Sequence, residues 1–128
     1  MYVAVSILLS GVPSSGKTMF LQALMKLNSS YFIDGGNSSK AGMIDYIFHN
    51  KPKYLLIDEI DKMSDKDQSF FLNLMETGIV SETKHDKTRA TNLKTWLFAT
   101  SNSLEKVISP LQLRFFVDWV MNSFMRSE

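Results

Sequence analysis

The sequence has no cysteine, which excludes disulfide bonds and thiolate metal sites. It also lacks any apolar run near the roughly 20 residues that a membrane-spanning helix requires. Its beginning, MYVAVSILLSG, has neither the charged leader nor the cleavage site of a signal peptide. Excess charge of one sign is absent too, because 14 Lys and Arg oppose 13 Asp and Glu. We therefore expect a cytoplasmic protein whose contacts with nucleic acid, if it makes them, come from a local patch.

Apolar strands alternate with amphipathic helices along the chain. The runs that predict strands are 3–9, 31–33, 54–57, 96–100 and 115–120. These runs are apolar on both faces, so they predict a mainly parallel five-stranded sheet with helices on both sides. The 128 residues suffice for one such domain, which we place at 1–128.

Three helices are predicted between the strands. The first carries apolar residues at helical spacing over 20–27, and the second carries them over 43–48 after a cap at Ser38 or Ser39. Ser64 begins the third helix as its N-cap, and Gly78 ends it. Residues 79–83 and 93–95 can then pair as a β-hairpin around the polar tip KHDKTRATN.

The segment GVPSSGKT between the first strand and the first helix matches the phosphate-loop pattern GxxxxGK[ST] at every fixed position. Glycines let the backbone N–H groups turn inward, and the helix N-terminus adds positive partial charge. Lys17 would reach the phosphates, and the Thr18 hydroxyl would bind Mg²⁺. The residues expected to hold the nucleotide are Gly11, Val12, Pro13, Ser14, Ser15, Gly16, Lys17, Thr18, Met19 and Asp58.

An acidic pair, Asp58 and Glu59, directly follows the buried strand at 54–57. Ligands of open α/β sheets bind at this end of the strands. Asp58 would orient Mg²⁺, and Glu59 would polarise the water that attacks the γ-phosphate. A water-activating carboxylate favours hydrolysis over transfer to an acceptor, and we find no basic lid of the kind typical of kinases.

Two further polar residues have more than one interpretation. Asn102 follows the strand at 96–100, where it would bind the γ-phosphate or the attacking water, although asparagine also favours turns. Arg114 lies between Leu and Phe in SPLQLRFF. It would act as an arginine finger on a neighbouring subunit, or cover apolar surface with its stem.

With these elements in this order, residues 3–120 resemble the core of an AAA+ ATPase. The matching residues are Lys17 and Thr18 for Walker A, Asp58 and Glu59 for Walker B, Asn102 for sensor 1 and Arg114 for the arginine finger. The resemblance implies a P-loop NTPase three-layer sandwich that binds ATP and Mg²⁺. It further implies catalytic roles for Lys17, Glu59, Asn102 and Arg114, and a homo-oligomeric ring, typically a hexamer.

Within that superfamily, PLQLRF and the insertion before the sensor strand look most like RuvB-type Holliday-junction helicases and the MCM- and MoxR-like branches. In such DNA motors residues 78–96 would form a hairpin that projects toward the central channel. The hairpin tip would then contact DNA through Lys84, His85, Lys87 and Arg89. Polar hairpin tips are also commonly just solvated.

The chain departs from the family pattern in two places. Residues 34–37, Asp-Gly-Gly-Asn, stand where protein-threading relatives carry an aromatic pore loop. This difference argues against a function in unfolding other proteins. Only eight residues follow Val120, so we expect the helical lid of the family to be lacking. The chain would then be either a fragment of a longer protein or a reduced core that relies on partners. The preferred hypothesis is a DNA motor such as a helicase. The alternative is a nucleotide-dependent switch or MoxR-like chaperone that serves a protein partner.

Overall fold

Strands and helices alternate in the computed structural model, which describes residues 5–11, 16–37, 40–102 and 116–118. The strands in this part of the chain are β1 (Val5–Ser10), β2 (Ser30–Asp34), β3 (Tyr54–Asp58), β4 (Ile79–Lys84), β5 (Lys87–Asn92), β6 (Trp96–Ser101) and β7 (Phe116–Asp118). The α-helices are α1 (Lys17–Leu24), α2 (Lys40–Asn50) and α3 (Asp65–Thr77), and a 3₁₀ turn covers Ile60–Lys62.

Five of the strands form one parallel sheet in the order β2-β3-β6-β1-β7. The predicted five-stranded parallel sheet is thus confirmed. Because β6 lies between β1 and β3, the segments that follow these three strands meet at one edge of the sheet. We call this end the carboxyl edge, and the opposite end the amino edge.

Helices cover both faces of the sheet. The larger core cluster joins α2 and α3 to one face, through fully buried residues that include Ile47, Phe71 and Leu97. A smaller cluster joins Leu21 of α1 to Leu56 and Phe98 on the other face. Adjacent residues of β6 therefore point into different clusters, as expected for a strand buried on both sides.

The ends of α3 agree with the predicted caps. The Ser64 hydroxyl accepts a hydrogen bond from the Asp67 N–H at 3.2 Å, and Gly78 ends the helix in a left-handed conformation with φ of 73°. The end of α1 differs from prediction, because the helix stops at Leu24 and leaves Met25 and Leu27 exposed. The predicted cap residues Ser38 and Ser39 lie outside the described residues.

The hairpin was predicted with the wrong second strand. Strand β4 pairs with Lys87–Asn92, and residues 93–95 form the connection to β6. The turn consists of His85 and Asp86, with φ values of 52° and 61°. A two-residue turn with positive φ at both positions matches the twist of the flanking strands, so the chain reverses at once. Among the described helices, none is long and apolar enough to cross a membrane.

Candidate functional site

The two ends of the GVPSSGKT segment lie together at the carboxyl edge. Gly11 donates its N–H to the Ser101 carbonyl at 3.2 Å, which ties the end of β1 to the end of β6. Gly16 has φ of 90° and precedes α1, a conformation that favours glycine. The Lys17 ammonium donates to the Gly11 carbonyl at 2.9 Å, so the first and last parts of the segment are linked. Residues 12–15, which include the predicted Val12, Pro13, Ser14 and Ser15, lie outside the described residues.

Lys17 is a buried cation that faces three carboxylates. Its exposed fraction is 5%. Burial lowers the pKa of Lys17 below the usual lysine value, and the negative charges of Asp58, Asp61 and Glu59 oppose that shift. A desolvated ammonium at this place gains strongly from an anionic ligand such as a phosphate.

Asp58 is the centre of a hydrogen-bonded group at the end of β3. The Thr18 hydroxyl donates to the Asp58 carboxylate, with distances of 3.1 and 3.2 Å to its two oxygens. The buried Thr100 hydroxyl donates to Asp58 Oδ1 at 2.6 Å. The phosphate-loop threonine and the acidic strand end, predicted separately, therefore lie in direct contact.

Glu59 stands next to this group in a constrained conformation. Its backbone is left-handed, with φ of 58° and ψ of 55°, and its N–H donates to the Thr100 hydroxyl at 2.9 Å. Its carboxylate forms an ion pair with Lys62 Nζ at 2.9 Å. The hydrogen bond to Glu59 raises the pKa of Lys62, whose side chain is half exposed.

The turn after β2 packs against the same edge. Gly35 donates its N–H to the Asp58 carbonyl at 2.7 Å. A Cβ at Gly35 would lie 2.2 Å from the Glu59 carbonyl oxygen, so any side chain here displaces the backbone. Asp34 holds the turn closed by accepting from the Gly36 N–H and the Asn37 amide. Glycine at position 35 therefore allows β2 to approach the acidic pair.

Two of the remaining predicted residues, Asn102 and Met19, lie in the described part of the chain. Asn102 is half-buried and directly follows Ser101, whose carbonyl accepts the Gly11 N–H. It is thus adjacent in the chain to the contact between β6 and the GVPSSGKT segment. Met19 is highly exposed on α1, with 73% of its surface accessible. Arg114 lies outside the described residues.

Thr18 and Asp58 are a suitable pair of oxygen donors for magnesium. No cluster of three His, Cys, Asp or Glu residues that could hold a metal occurs in the described part of the chain. Mg²⁺ does not require one, because it is commonly held by one or two protein ligands together with water and substrate phosphates. The contact between the Thr18 hydroxyl and the Asp58 carboxylate fits that mode.

Sequence reasoning missed Thr100, Lys62 and Gly35. Thr100 looks like an ordinary strand residue, and only the pairing of β6 beside β3 brings its hydroxyl to Asp58 and Glu59. Lys62 follows Glu59 by three residues, a spacing that was available as a signal. Asp61, also not singled out, has a buried Oδ1 with no hydrogen-bond partner among the described residues.

The hairpin is fixed to α2 through Arg89. The Arg89 guanidinium bonds to Glu82 across the hairpin and to Asp45 on α2, and it lies 4.2 Å from the centre of the Phe48 ring. Arg89 was predicted at the hairpin tip, but it lies within β5 because the turn is earlier than expected. Of the four basic residues predicted at the tip, His85 lies in the turn and Lys84 and Lys87 lie directly beside it, and all three are exposed.

A parallel sheet, a glycine-framed segment leading into a helix, and a threonine–aspartate pair at the carboxyl edge define an α/β nucleotide-binding domain. Residues 7–122 match the model of the ATPase family associated with various cellular activities, AAA. The chain therefore belongs to the AAA family, whose members bind ATP, typically with Mg²⁺, and commonly form oligomeric rings. No curated protein matches the sequence.

Proposed function

We propose that this chain is the ATP-hydrolysing core of a ring-forming motor that acts on DNA, of the unwinding or branch-migration type. The observation that supports hydrolysis best is the group formed by Thr18, Asp58, Thr100 and Glu59 at the carboxyl edge. Each of these side chains or N–H groups contacts the next, and Lys17 is buried beside them.

Nucleotide binding follows from the charges of this group. Lys17 would exchange its hydrogen bond to the Gly11 carbonyl for phosphate oxygens, and its desolvation favours that exchange. Thr18 and Asp58 would hold the magnesium ion. When bound, the ion would neutralise charge that develops on the phosphate oxygens.

Glu59 would accept the proton of the attacking water. Its N–H bond to Thr100 fixes the start of its side chain relative to Asp58. Thr100 is therefore a positioning residue that joins the proposed base to the proposed metal ligand. Asn102 would bind the γ-phosphate or the water, and Arg114 would complete the site of a neighbouring subunit.

The proposed DNA contact involves the hairpin turn. Lys84, His85 and Lys87 are exposed there, and Asp86 is the one acidic residue among them. Arg89 would not contact DNA but would fix the hairpin on α2. Contacts of this kind bind phosphates without reading sequence.

Steady-state ATP hydrolysis, measured with no DNA and with single-stranded, duplex or branched DNA, tests both parts of the proposal. We expect Lys17→Ala to lose nucleotide binding. We expect Glu59→Gln to retain binding and lose about 10²–10⁴-fold in turnover. Unchanged turnover in Glu59→Gln would reject the hydrolytic role. If the chain hydrolyses ATP but none of the three kinds of DNA changes the rate, only the proposed role on DNA is rejected.

Mixing two inactive variants tests the shared site. Lys17→Ala subunits would keep Arg114, and Arg114→Ala subunits would keep Lys17. If the finger acts on a neighbour, mixed rings regain part of the hydrolysis. No recovery in rings shown by co-purification of differently tagged subunits to contain both variants would contradict a site shared between subunits.

One observation favours the alternative, a nucleotide-dependent switch or MoxR-like chaperone for a protein partner. Glu59 is paired with Lys62 at 2.9 Å, so a cation of this chain occupies a carboxylate oxygen that would otherwise face a water. A switch predicts tight nucleotide binding with slow turnover. A Lys62→Met variant that hydrolyses ATP faster than the parent chain, without DNA, would support this alternative.

A further inference from the structure

The amino edge of the sheet carries a second surface with its own chemistry. Three segments meet there, namely 25–29 after α1, 51–53 before β3, and 93–95 before β6. Lys53 joins them through its backbone. Its N–H donates to the Ser29 carbonyl at 2.9 Å, and its carbonyl accepts from the Trp96 N–H at 2.8 Å and the Thr95 hydroxyl at 3.1 Å. The segments are therefore a fixed base for the side chains that project from them.

An exposed aromatic ring lies in this surface. Trp96, the first residue of the central strand β6, is 49% exposed although its side chain is a large aromatic. Its indole lies near the Phe98 ring, with centroids 6.4 Å apart and an interplanar angle of 22°. The contact with Phe98, which is itself buried, restrains the indole while half of it stays open to solvent.

A small cavity joins this ring to two lysines. It has a volume of about 220 Å³ and is lined by Lys53, Tyr54, Lys94 and Trp96, which we call the amino-edge patch. The volume is below the roughly 300–1,000 Å³ of sites that enclose drug-sized ligands. Such a cavity is suited to part of a larger molecule, such as one base of a strand.

Charge is separated between the two edges of the sheet. The three amino-edge segments contain four exposed lysines and no Asp or Glu. The carboxyl edge instead gathers four carboxylates, of Asp34, Asp58, Glu59 and Asp61, which outnumber the two lysines beside them, Lys17 and Lys62. The net charge of +1 conceals this separation, because the opposite charges cancel in the sum. The amino edge is thus a local cationic surface beside an exposed aromatic ring.

We propose that the amino-edge patch binds single-stranded nucleic acid. A base would stack on Trp96 beside Tyr54, and the backbone phosphates flanking that base would contact Lys53 and Lys94. Base stacking on aromatic rings together with lysine–phosphate contacts is how single strands are held without sequence preference. An anionic strand also matches a surface whose segments carry lysines alone. The patch would act whether or not the chain hydrolyses ATP or uses its hairpin on DNA.

The proposal is tested by measuring the affinity of the full chain for a labelled oligo-dT of 12 nucleotides by fluorescence anisotropy. We expect Trp96→Ala to weaken binding about tenfold and Trp96→Phe to retain most of it. The double variant Lys53→Gln/Lys94→Gln should also weaken binding. It should reduce the slope of log affinity against log salt by about 1.4, as expected for two single-strand phosphate contacts. Lys66→Gln, an exposed lysine on α3, should behave like the parent chain.

An equal charge change at the hairpin separates the two proposed contacts. If only Lys84→Gln/Lys87→Gln weakens oligo-dT binding and the patch variants do not, the patch proposal is wrong. If both double variants weaken it independently, the patch is a second contact. An abasic strand should bind the parent chain and Trp96→Ala alike, because it lacks the stacking base. Binding of a poly-glutamate peptide through Trp96, with no binding of oligo-dT, would overturn the proposal in favour of a protein partner.

Discussion

The carboxyl edge and the amino edge are the two ends of the same parallel strands, but they differ in charge and in how their side chains are held. At the carboxyl edge, Asp58 and Thr100 are linked by side-chain hydrogen bonds, and the backbone of Gly35 closes against them. At the amino edge, the hydrogen bonds run mainly through the Lys53 backbone, and the lysine side chains and Trp96 remain exposed. This difference indicates that substitutions at the carboxyl edge affect stability and the site together. At the amino edge, substitutions of the exposed lysines and Trp96 affect mainly the surface.

The largest effect is expected at Gly35. Gly35→Ala places a Cβ 2.2 Å from the Glu59 carbonyl, so the backbone of the acidic pair has to move. We expect a loss of about 3 kcal/mol in the free energy of unfolding, measured by urea denaturation, with weaker ATP binding. Gly42→Ala is the matched control, because a Cβ on this α2 glycine meets nothing within 4 Å. It should be neutral or stabilising by about 0.5–1 kcal/mol.

The next largest effect is expected from two buried threonines, one at each edge, whose replacement by valine should cost different amounts of stability. Thr100→Val removes the hydroxyl that donates to Asp58 and accepts the Glu59 N–H, and should cost about 2 kcal/mol. Thr95→Val should cost about 1 kcal/mol or less, because the Lys53 carbonyl keeps its bond from the Trp96 N–H. Thermal unfolding measures both. Equal losses would contradict the difference between the edges.

Thr100→Ser is a control for the first of these variants, since it keeps the hydroxyl. ATP hydrolysis by Thr100→Ser should exceed that by Thr100→Val. If both variants hydrolyse ATP like the parent chain, Thr100 does not position Glu59.

A smaller effect is expected from Trp96. Trp96→Ala should cost about 1.5 kcal/mol in the free energy of unfolding, less than the roughly 3–5 kcal/mol of a fully buried tryptophan, since half of the residue is already in water. A large loss in urea denaturation would show that Trp96 is a core residue rather than part of a surface. Ile79→Ala, at an exposed apolar residue of β4, provides the comparison.

The smallest effect concerns pH. Burial lowers the pKa of Lys17 in the folded protein below the 10.5 of an ordinary lysine. Between these two values the unfolded chain binds more protons than the folded chain, so this residue makes stability rise with pH. Lys17→Met should lack that contribution in thermal unfolding measured across the alkaline range. An identical pH dependence in both chains would contradict the lowered pKa.

Much of the sheet was predictable because each strand carries a local pattern. The apolar run at 54–57 and the acidic pair after it indicated both a buried strand and the edge where ligands bind. The end of α3 was equally local, since Gly78 adopts the conformation that favours glycine. These features depend on neighbours within a few residues.

The remaining features depend on residues far apart in the chain. Thr100 meets Asp58 only because β6 inserts beside β3, and nothing in the residues around Thr100 indicates that pairing. The turn of the hairpin was predicted too late in the chain because positive φ is typical of glycine, and neither His85 nor Asp86, which adopt it here, is a glycine. As a result Arg89, predicted to contact DNA, lies instead between Asp45, Glu82 and Phe48.

The left-handed backbone of Glu59 has a consequence for engineering this protein. A non-glycine residue costs about 1–2 kcal/mol in that conformation. Selection for thermal resistance alone would therefore favour glycine or asparagine at position 59, and would remove the proposed base as it succeeded. Durability and turnover compete at this single residue, so a library screened for heat tolerance should keep Glu59 fixed.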